Sequence, residues 1–315
     1  MLPSIMLYFL RGMKQRFVVW FLLNKEAVTL KIIPLVENTV SSPKLIARHG
    51  LCFYIETRDH KMLMDLGPND TFLRNAAALD IDISEIDMVV LSHGHSDHVG
   101  GLKAFLNVND TAKIYMNRNV MDPHFIKVEG IPCPIGIDVS LIDEENERFV
   151  FTDHFTKVDG EITLFAGVNS KRAYPKANEV MYVRKGGQLV VDEFVHEQHM
   201  LLTNGKEWTL LTGCAHNGIA NILDRAVEVC QEKPMLVIGG FHMFYEPTNS
   251  YESDELIEET ADVLEEWDKT TFYTCHCTGQ KAFDKLKERV GNRLQYLSTG
   301  QKLEFLEEVE GYILY

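Results

Sequence analysis

The sequence lacks a disulfide framework, a basic face and an apolar run of membrane length. Its six cysteines, Cys52, Cys133, Cys214, Cys230, Cys275 and Cys277, are scattered with no Cys-x-x-Cys pair. Cys275-His276-Cys277 is too tight for an ordinary zinc knuckle. The cysteines read as reduced thiols of a cytoplasmic protein rather than as staples. Positive charge is scarce: 31 Lys and Arg stand against 46 Asp and Glu, a net charge of −15, with no basic tail. A field of that sign repels phosphate backbones, so nucleic acid is not an expected partner. The apolar stretch at residues 1–23 is broken by Arg11, Lys14 and Arg16. Neither half approaches the roughly 18–20 residues of a membrane span, and no small-residue cleavage site follows. Residues 1–26 are set apart as an N-terminal extension, and no membrane partner is expected. No short-period repeat is present.

The remainder, residues 27–315, reads as a single domain. Short apolar strands are expected at 28–35, 51–55, 62–65, 88–91 and 113–115, with helices at 69–78 and 97–106. Residues 120–180 have weak periodicity, punctuated by Pro123, Pro132, Pro134 and Pro175. They read as an irregular insertion that could line or cover a site. Regular structure resumes with four successive strands at 180–184, 188–191, 199–202 and 208–212, joined by Lys185-Gly186-Gly187 and Asn204-Gly205 turn signals. Ile219, Ile222, Leu223, Ala226 and Cys230 then fall at helical spacing. Two further helices flank a strand at 271–275. Hairpins followed by strand–helix alternation in both halves predict an α/β fold, a four-layer αββα sandwich.

The chemistry concentrates in Leu91-Ser-His-Gly-His-Ser-Asp-His-Val-Gly-Gly101, on a loop between an apolar strand and a helix. With 12 histidines in 315 residues, the spacing His93-x-His95-x-Asp97-His98 is a poor match to chance. Imidazole and carboxylate are ligands preferred by Zn²⁺, and also by Fe or Mn. His93 and His95 can converge on one ion, and Asp97 and His98 point elsewhere and could serve a second.

On these residues the sequence resembles the metallo-β-lactamase superfamily, from about Val28 to Phe305. Met64-Asp65-Leu66-Gly67 is similar to the family's early aspartate motif, Gly213-Cys-Ala-His216-Asn-Gly218 to its third-histidine motif, and Cys275-His276-Cys277-Thr-Gly279 to its late-histidine motif. His49-Gly-Leu-Cys-Phe-Tyr-Ile-Glu56, Ile238-Gly-Gly-Phe-His242 and Ser298-Thr-Gly-Gln-Lys-Leu-Glu-Phe305 resemble the branch of 7,8-dihydropterin-6-methyl-4-(ribofuranosyl)-aminobenzene-5′-phosphate synthase-like proteins. The resemblance implies that His93, His95 and His216 hold one ion and that Asp97, His98 and His276 hold another, with Asp65 orienting a ligand. It also implies a bridging aspartate at the strand end that here reads Ile238-Gly239-Gly240-Phe241-His242, without a carboxylate. Two cations without an anionic bridge repel, so a weak or empty second site is expected. His242 becomes a candidate ligand or proton donor.

The function implied is a hydrolase using metal-activated water on a small anionic ester, phosphoester or lactone, with Asp97 and His242 as catalytic groups. The cofactor is one or two Zn²⁺ ions, with Fe or Mn as alternatives. His49, Lys171, Arg172, Lys176 and Arg184 are candidates for binding the substrate's anionic group. The segment Val195-His-Glu-Gln-His-Met200 departs from the branch's usual Asp-Glu-Gln-Ala-Leu. A pterin-related synthase and a non-catalytic metal-containing sensor are the alternative readings.

Overall fold

In a computed structural model, residues 27–169 and 171–307 are described, and the expected extension at 1–26 lies outside them. Strands such as Cys52–Thr57 and Gln198–Thr203 are buried along almost their whole length. Such strands belong in sheets covered on both faces. Two seven-stranded sheets result. The first runs Leu303–Glu307, Ala27–Val36, Cys52–Thr57, Lys61–Met64, Met88–Val90, Lys113–Asn117 and Phe149–Thr152. The second runs Leu294–Tyr296, Thr271–Thr274, Leu236–Gly239, Trp208–Leu211, Gln198–Thr203, Ile162–Ala166 and Phe155–Lys157. Both follow one plan, with antiparallel pairs on one side giving way to parallel pairs on the other.

Alternation along the strands sorts the core into three layers. Phe53, Ile55, Met62, Met64 and Val90 of the first sheet face Leu164, Met200, Leu202, Leu211 and Ile238 of the second. Tyr54, Leu63 and Val89 turn outward to Phe72 and Ala76 of helix Thr71–Ala78 and to Leu102 and Phe105 of helix Leu102–Leu106. On the far side, Leu201, Leu210, Val237 and Phe272 pack under helices Ile219–Cys230, Asp254–Glu265 and Gln280–Val290. This is the αββα sandwich. Emptying the central layer, as in Phe53→Ala, should cost about 3–5 kcal/mol.

Three details differ from the sequence reading. The helix expected over 97–106 is two short helices, Ser96–Val99 and Leu102–Leu106, separated at Gly100-Gly101. There the loop after Asp65 crosses, and the Gly101 N–H bonds the Gly67 carbonyl at 3.0 Å. Residues 120–180 hold more regular structure than expected. They contain His124–Val128, Ile131–Pro134, Phe149–Thr152, Phe155–Lys157 and Ile162–Ala166. Their pattern is weak because three of these are short edge strands, one carrying Pro132 and Pro134, which only an edge tolerates. The four strands expected from 180 to 212 divide: Met181–Lys185 and Gln188–Val191 join His124–Val128 and Ile131–Pro134 in a separate four-stranded sheet. No helix among the described residues is long and apolar enough to cross a membrane.

Candidate metal centre

The parallel strands of both sheets run out at one end of the sandwich, and the loops beyond their carboxyl ends carry the histidines. In parallel sheets this is the edge where ligands bind. After Met88–Val90 the chain passes Leu91-Ser92 and turns through His93-Gly94-His95 into helix Ser96–Val99. His216 follows Trp208–Leu211, His242 follows Leu236–Gly239 and His276 follows Thr271–Thr274. Nine of the 12 histidines, at 49, 93, 95, 98, 124, 196, 216, 242 and 276, join in one network of ring contacts with centroids no more than 5.5 Å apart along it.

Donor atoms of His93, His95 and His216 lie within 4.8 Å of one another. His93 Nε2 and His216 Nε2 are 3.3 Å apart. The outer nitrogens are held: His93 Nδ1 sits 2.8 Å from Ser92 Oγ, and His216 Nδ1 sits 3.0 Å from Asn178 Oδ1. An Nδ1–H donated to the Asn178 carbonyl leaves the His216 Nε2 lone pair facing its neighbours. His95 Nε2 is buried without a hydrogen-bond partner.

A second set lies alongside. His98 Nε2 is 3.3 Å from His276 Nε2, and Asp97 Oδ2 is 3.6 Å from the first and 3.4 Å from the second. The outer nitrogens are again fixed, His98 Nδ1 by Asp65 Oδ2 at 2.7 Å and His276 Nδ1 by Asn38 Oδ1 at 3.0 Å. A tetrahedral ion with bonds of about 2.0–2.1 Å spaces such donors roughly 3.3–3.4 Å apart. Both sets therefore fit divalent ions in donor type and spacing. His49 Nε2 stands 3.5 Å from Asp97 Oδ2, and these side chains, 38% and 25% exposed, form the mouth. The ligand candidates His93, His95, His98, His216 and His276 are all buried.

Burial, together with the crowding of neighbouring imidazoles, pushes His93, His95 and His216 well below the usual histidine range. They are neutral at pH 7, as ligands must be. His98 behaves oppositely. Burial disfavours its charge, but the Asp97 and Asp65 carboxylates outweigh that and raise it to about 9. Asp97 stays ionised: burial would raise it, but His98, His276 and His49 hold it well below the usual carboxylate range.

Asp65 takes 2.7 Å hydrogen bonds from the Ser92 N–H and Oγ and pairs with His98, so one carboxylate steers both His93 and His98. The backbone is strained around it. Asp65, Phe194, Ala215, His242 and His276 all have φ between 49° and 64°. Strain of this kind in non-glycine residues concentrates at functional sites. His242 is buried with neither ring nitrogen hydrogen-bonded, its ring 4.1 Å from that of His216.

The structure also assembles residues that sequence reasoning missed. Glu197 accepts the His216 and Asn217 N–H groups at 2.7 and 2.9 Å. Glu37 does the same for His276, at 2.9 Å, and takes the Tyr296 hydroxyl at 2.6 Å. Behind His95, His196 Nδ1 accepts the Gly94 N–H at 3.0 Å, and Asp192 Oδ2 pairs with His196 at 3.2 Å and His124 at 2.8 Å. His196 and Glu197 lie in the Val195–Met200 segment, whose departure from the branch pattern was the available signal. Cys214 Sγ lies 3.1 Å from His98 Nε2, and Cys277 Sγ lies 3.5 Å from the Cys214 carbonyl. Burial pushes the Cys214 thiol up. Cys277 is also buried, yet the adjoining Cys214, His276 and His242 hold it well below the thiol range.

Of the expected substrate-binding residues, His49 lies against the centre, beside Asp97. Lys171 and Arg172 are in exposed ion pairs with Glu228 and Asp224 of helix Ile219–Cys230. Arg184 lies over the Phe125 ring, 4.7 Å from its centroid. Lys176 is exposed and acts electrostatically on Glu255.

The sequence profile of the metallo-beta-lactamase superfamily matches residues 45–154. Uncharacterized protein MJ0448 of Methanocaldococcus jannaschii is 30% identical over 81% of this chain and 93% of its own length. The 7,8-dihydropterin-6-methyl-4-(beta-D-ribofuranosyl)-aminobenzene-5'-phosphate synthase of the same organism is 26% identical, with 88% of this chain and 97% of the relative covered. The crystal structure of Tm1679, a metal-dependent hydrolase of the beta-lactamase superfamily, superposes with a TM-score of 0.73 at 26% identity, covering 88% of this chain and 100% of that one.

Proposed function

The chain belongs to the metallo-β-lactamase superfamily, and on that footing we propose that it is a hydrolase of small anionic esters, phosphoesters or lactones that works with one or two Zn²⁺ ions, Fe or Mn being the alternatives. One observation carries the reading: His93, His95, His216, Asp97, His98 and His276 present donors at ion spacing, with all but one of the rings oriented by an outer hydrogen bond. The chemistry supplied by a bound divalent ion is Lewis acidity, which polarises the electrophile and acidifies water.

The protein's own groups do the rest. Substrate reaches the centre from the Asp97–His49 side, the exposed one. His49, beside Asp97 on that side, meets its anionic group by donating a ring N–H. Asp97, ionised throughout the neutral range, orients the attacking water as a hydrogen-bond acceptor. His242, buried beside His216, delivers a proton to the leaving group. A buried pocket of imidazoles excludes bulk water from these steps. Six unpaired thiols fit a reducing compartment, the cytoplasm.

The similarity to the dihydropterin-ribofuranosylaminobenzene phosphate synthase supports a second reading, a pterin-related synthase built on the same centre. A panel of phosphodiester, phosphomonoester and lactone substrates tests the first. Turnover should disappear with a chelator and in His95→Ala and Asp97→Ala, and return to the chelated wild type on adding Zn²⁺. Inertness of the metal-loaded protein toward the whole panel would overturn the hydrolase reading.

A further inference from the structure

The six expected donors include one carboxylate, Asp97, and five neutral or proton-competing imidazoles. That is a single negative charge for two dications, and the strand end Ile238-Gly239-Gly240-Phe241-His242 adds none. What stands there is sulfur. A Cβ at Gly240 would lie 2.5 Å from Cys277 Sγ, so the missing side chain is the space that thiol fills. Next to it is Cys214, 3% exposed, whose donor atom belongs to clusters on both sides of the centre. It lies within 4.8 Å of donors of His93 and His98, of His216 and His242, and of His276 and Cys277. Cys214 Sγ is in hydrogen-bond contact with His98 Nε2 at 3.1 Å. An ion bound by both, with bonds of about 2.3 Å to sulfur and 2.0–2.1 Å to nitrogen, would part them to roughly 3.6 Å, a shift of about half an ångström.

We propose that Cys214 is a metal ligand, its thiolate standing between the two ion positions and supplying the anionic bridge that this strand end lacks. The inference rests on the metal-centre reading above and goes beyond it in assigning sulfur to the ligand set. The bond that forms is metal–sulfur, the bond that breaks is S–H, and the proton leaves to solvent without any change of oxidation state. Cys277, whose Sγ lies 3.5 Å from the Cys214 carbonyl and fills the space beside Gly240, fixes the backbone at Cys214 as a positioning residue. The ligand set becomes mixed N, O and S, which favours Zn²⁺ or Fe over Mn or Mg.

The test is X-ray absorption spectroscopy of the full-length protein loaded with zinc, alongside near-ultraviolet absorption of the cobalt(II)-loaded form. Wild type should show metal–sulfur scattering at about 2.3 Å and a thiolate-to-cobalt charge-transfer band. In Cys214→Ser both should disappear, and bound metal should fall from two ions per chain to one. Cys277→Ser should keep the sulfur signal. Wild-type spectra with two ions bound but only nitrogen and oxygen neighbours would overturn the thiolate assignment and leave the centre standing. A sulfur signal that persists in Cys214→Ser and disappears in Cys277→Ser would move the ligand to the wrong cysteine and also overturn it. Failure of the wild type to hold any metal would overturn both readings. Should Cys214→Ser fail to fold, Cys277→Ser decides: a sulfur signal kept there supports the assignment, and one lost there overturns it.

Discussion

Asp65 shows how much one buried carboxylate does here. With Ser92 N–H, Ser92 Oγ and His98 Nδ1 all at 2.7 Å, its acceptor capacity goes to fixing two ligand rings. Asp65→Ala should lower metal affinity by about 10–100-fold, the usual effect of losing an orienting partner. Competition against a chromophoric chelator would read this, and unchanged affinity would remove Asp65 from the centre. His98 gives a pH signature. In the metal-free protein its pKa is raised to about 9 from an ordinary 6.5. Its contribution to stability is therefore full below about pH 6.5 and lost as pH rises through about 9. Chelator-treated protein should unfold at lower urea as pH goes from 6.5 to 9. Affinity for the second ion should rise over the same interval, as the competing proton leaves. A flat affinity profile would argue that His98 is not a ligand. The aspartate and the ligand histidines were legible because each sits in a short local motif. Asn38 and Asn178 were not, because their partners lie 238 and 38 residues away, and no local spacing records such a contact.

The loops that carry the second sheet's histidines are held in place by buried acids and close backbone approach rather than by regular structure. Glu197 accepts both the His216 and the Asn217 N–H groups. Glu197→Ala leaves buried donors without acceptors and should cost about 3 kcal/mol or more in urea unfolding. Glu207→Ala, on the exposed turn of the preceding hairpin, should stay within about 0.5 kcal/mol. Equal effects would mean that the Glu197 bonds do not hold the loop. At Gly213 a Cβ would sit 2.2 Å from Ser92 Oγ, the hydroxyl that links Asp65 to His93. Gly213→Ala should therefore cost about 1–3 kcal/mol and reduce bound metal, measured together by denaturation and elemental analysis. Long, periodic elements such as helix Ile219–Cys230 were readable from the sequence. The split at Gly100-Gly101 and the edge strands of residues 120–180 were not, because tertiary crossing and edge position decide them.

Across the whole molecule, the centre joins the two halves of the sandwich. His93, His95, Asp97 and His98 come from the first sheet, and His216 and His276 from the second. Gln198 ties the same seam without metal, its amide donating to the Leu91 carbonyl at 2.8 Å and accepting Thr152 Oγ1 at 2.6 Å. A bound ion therefore cross-links the sheets. At a free concentration of 100 times its Kd it should add about 2.7 kcal/mol to the folded state, seen as a lower Tm after chelation. The layered architecture was legible because hairpins and strand–helix units alternate in both halves. The thiols at the seam were not, since Cys214 and Cys277 differ from structural cysteines only in their neighbours. The most direct test of the account is the elemental content of freshly purified protein that has not met a chelator. It predicts between one and two equivalents of a divalent transition ion, zinc foremost, falling below one in His95→Ala. Protein that is correctly folded yet carries no stoichiometric metal would contradict it.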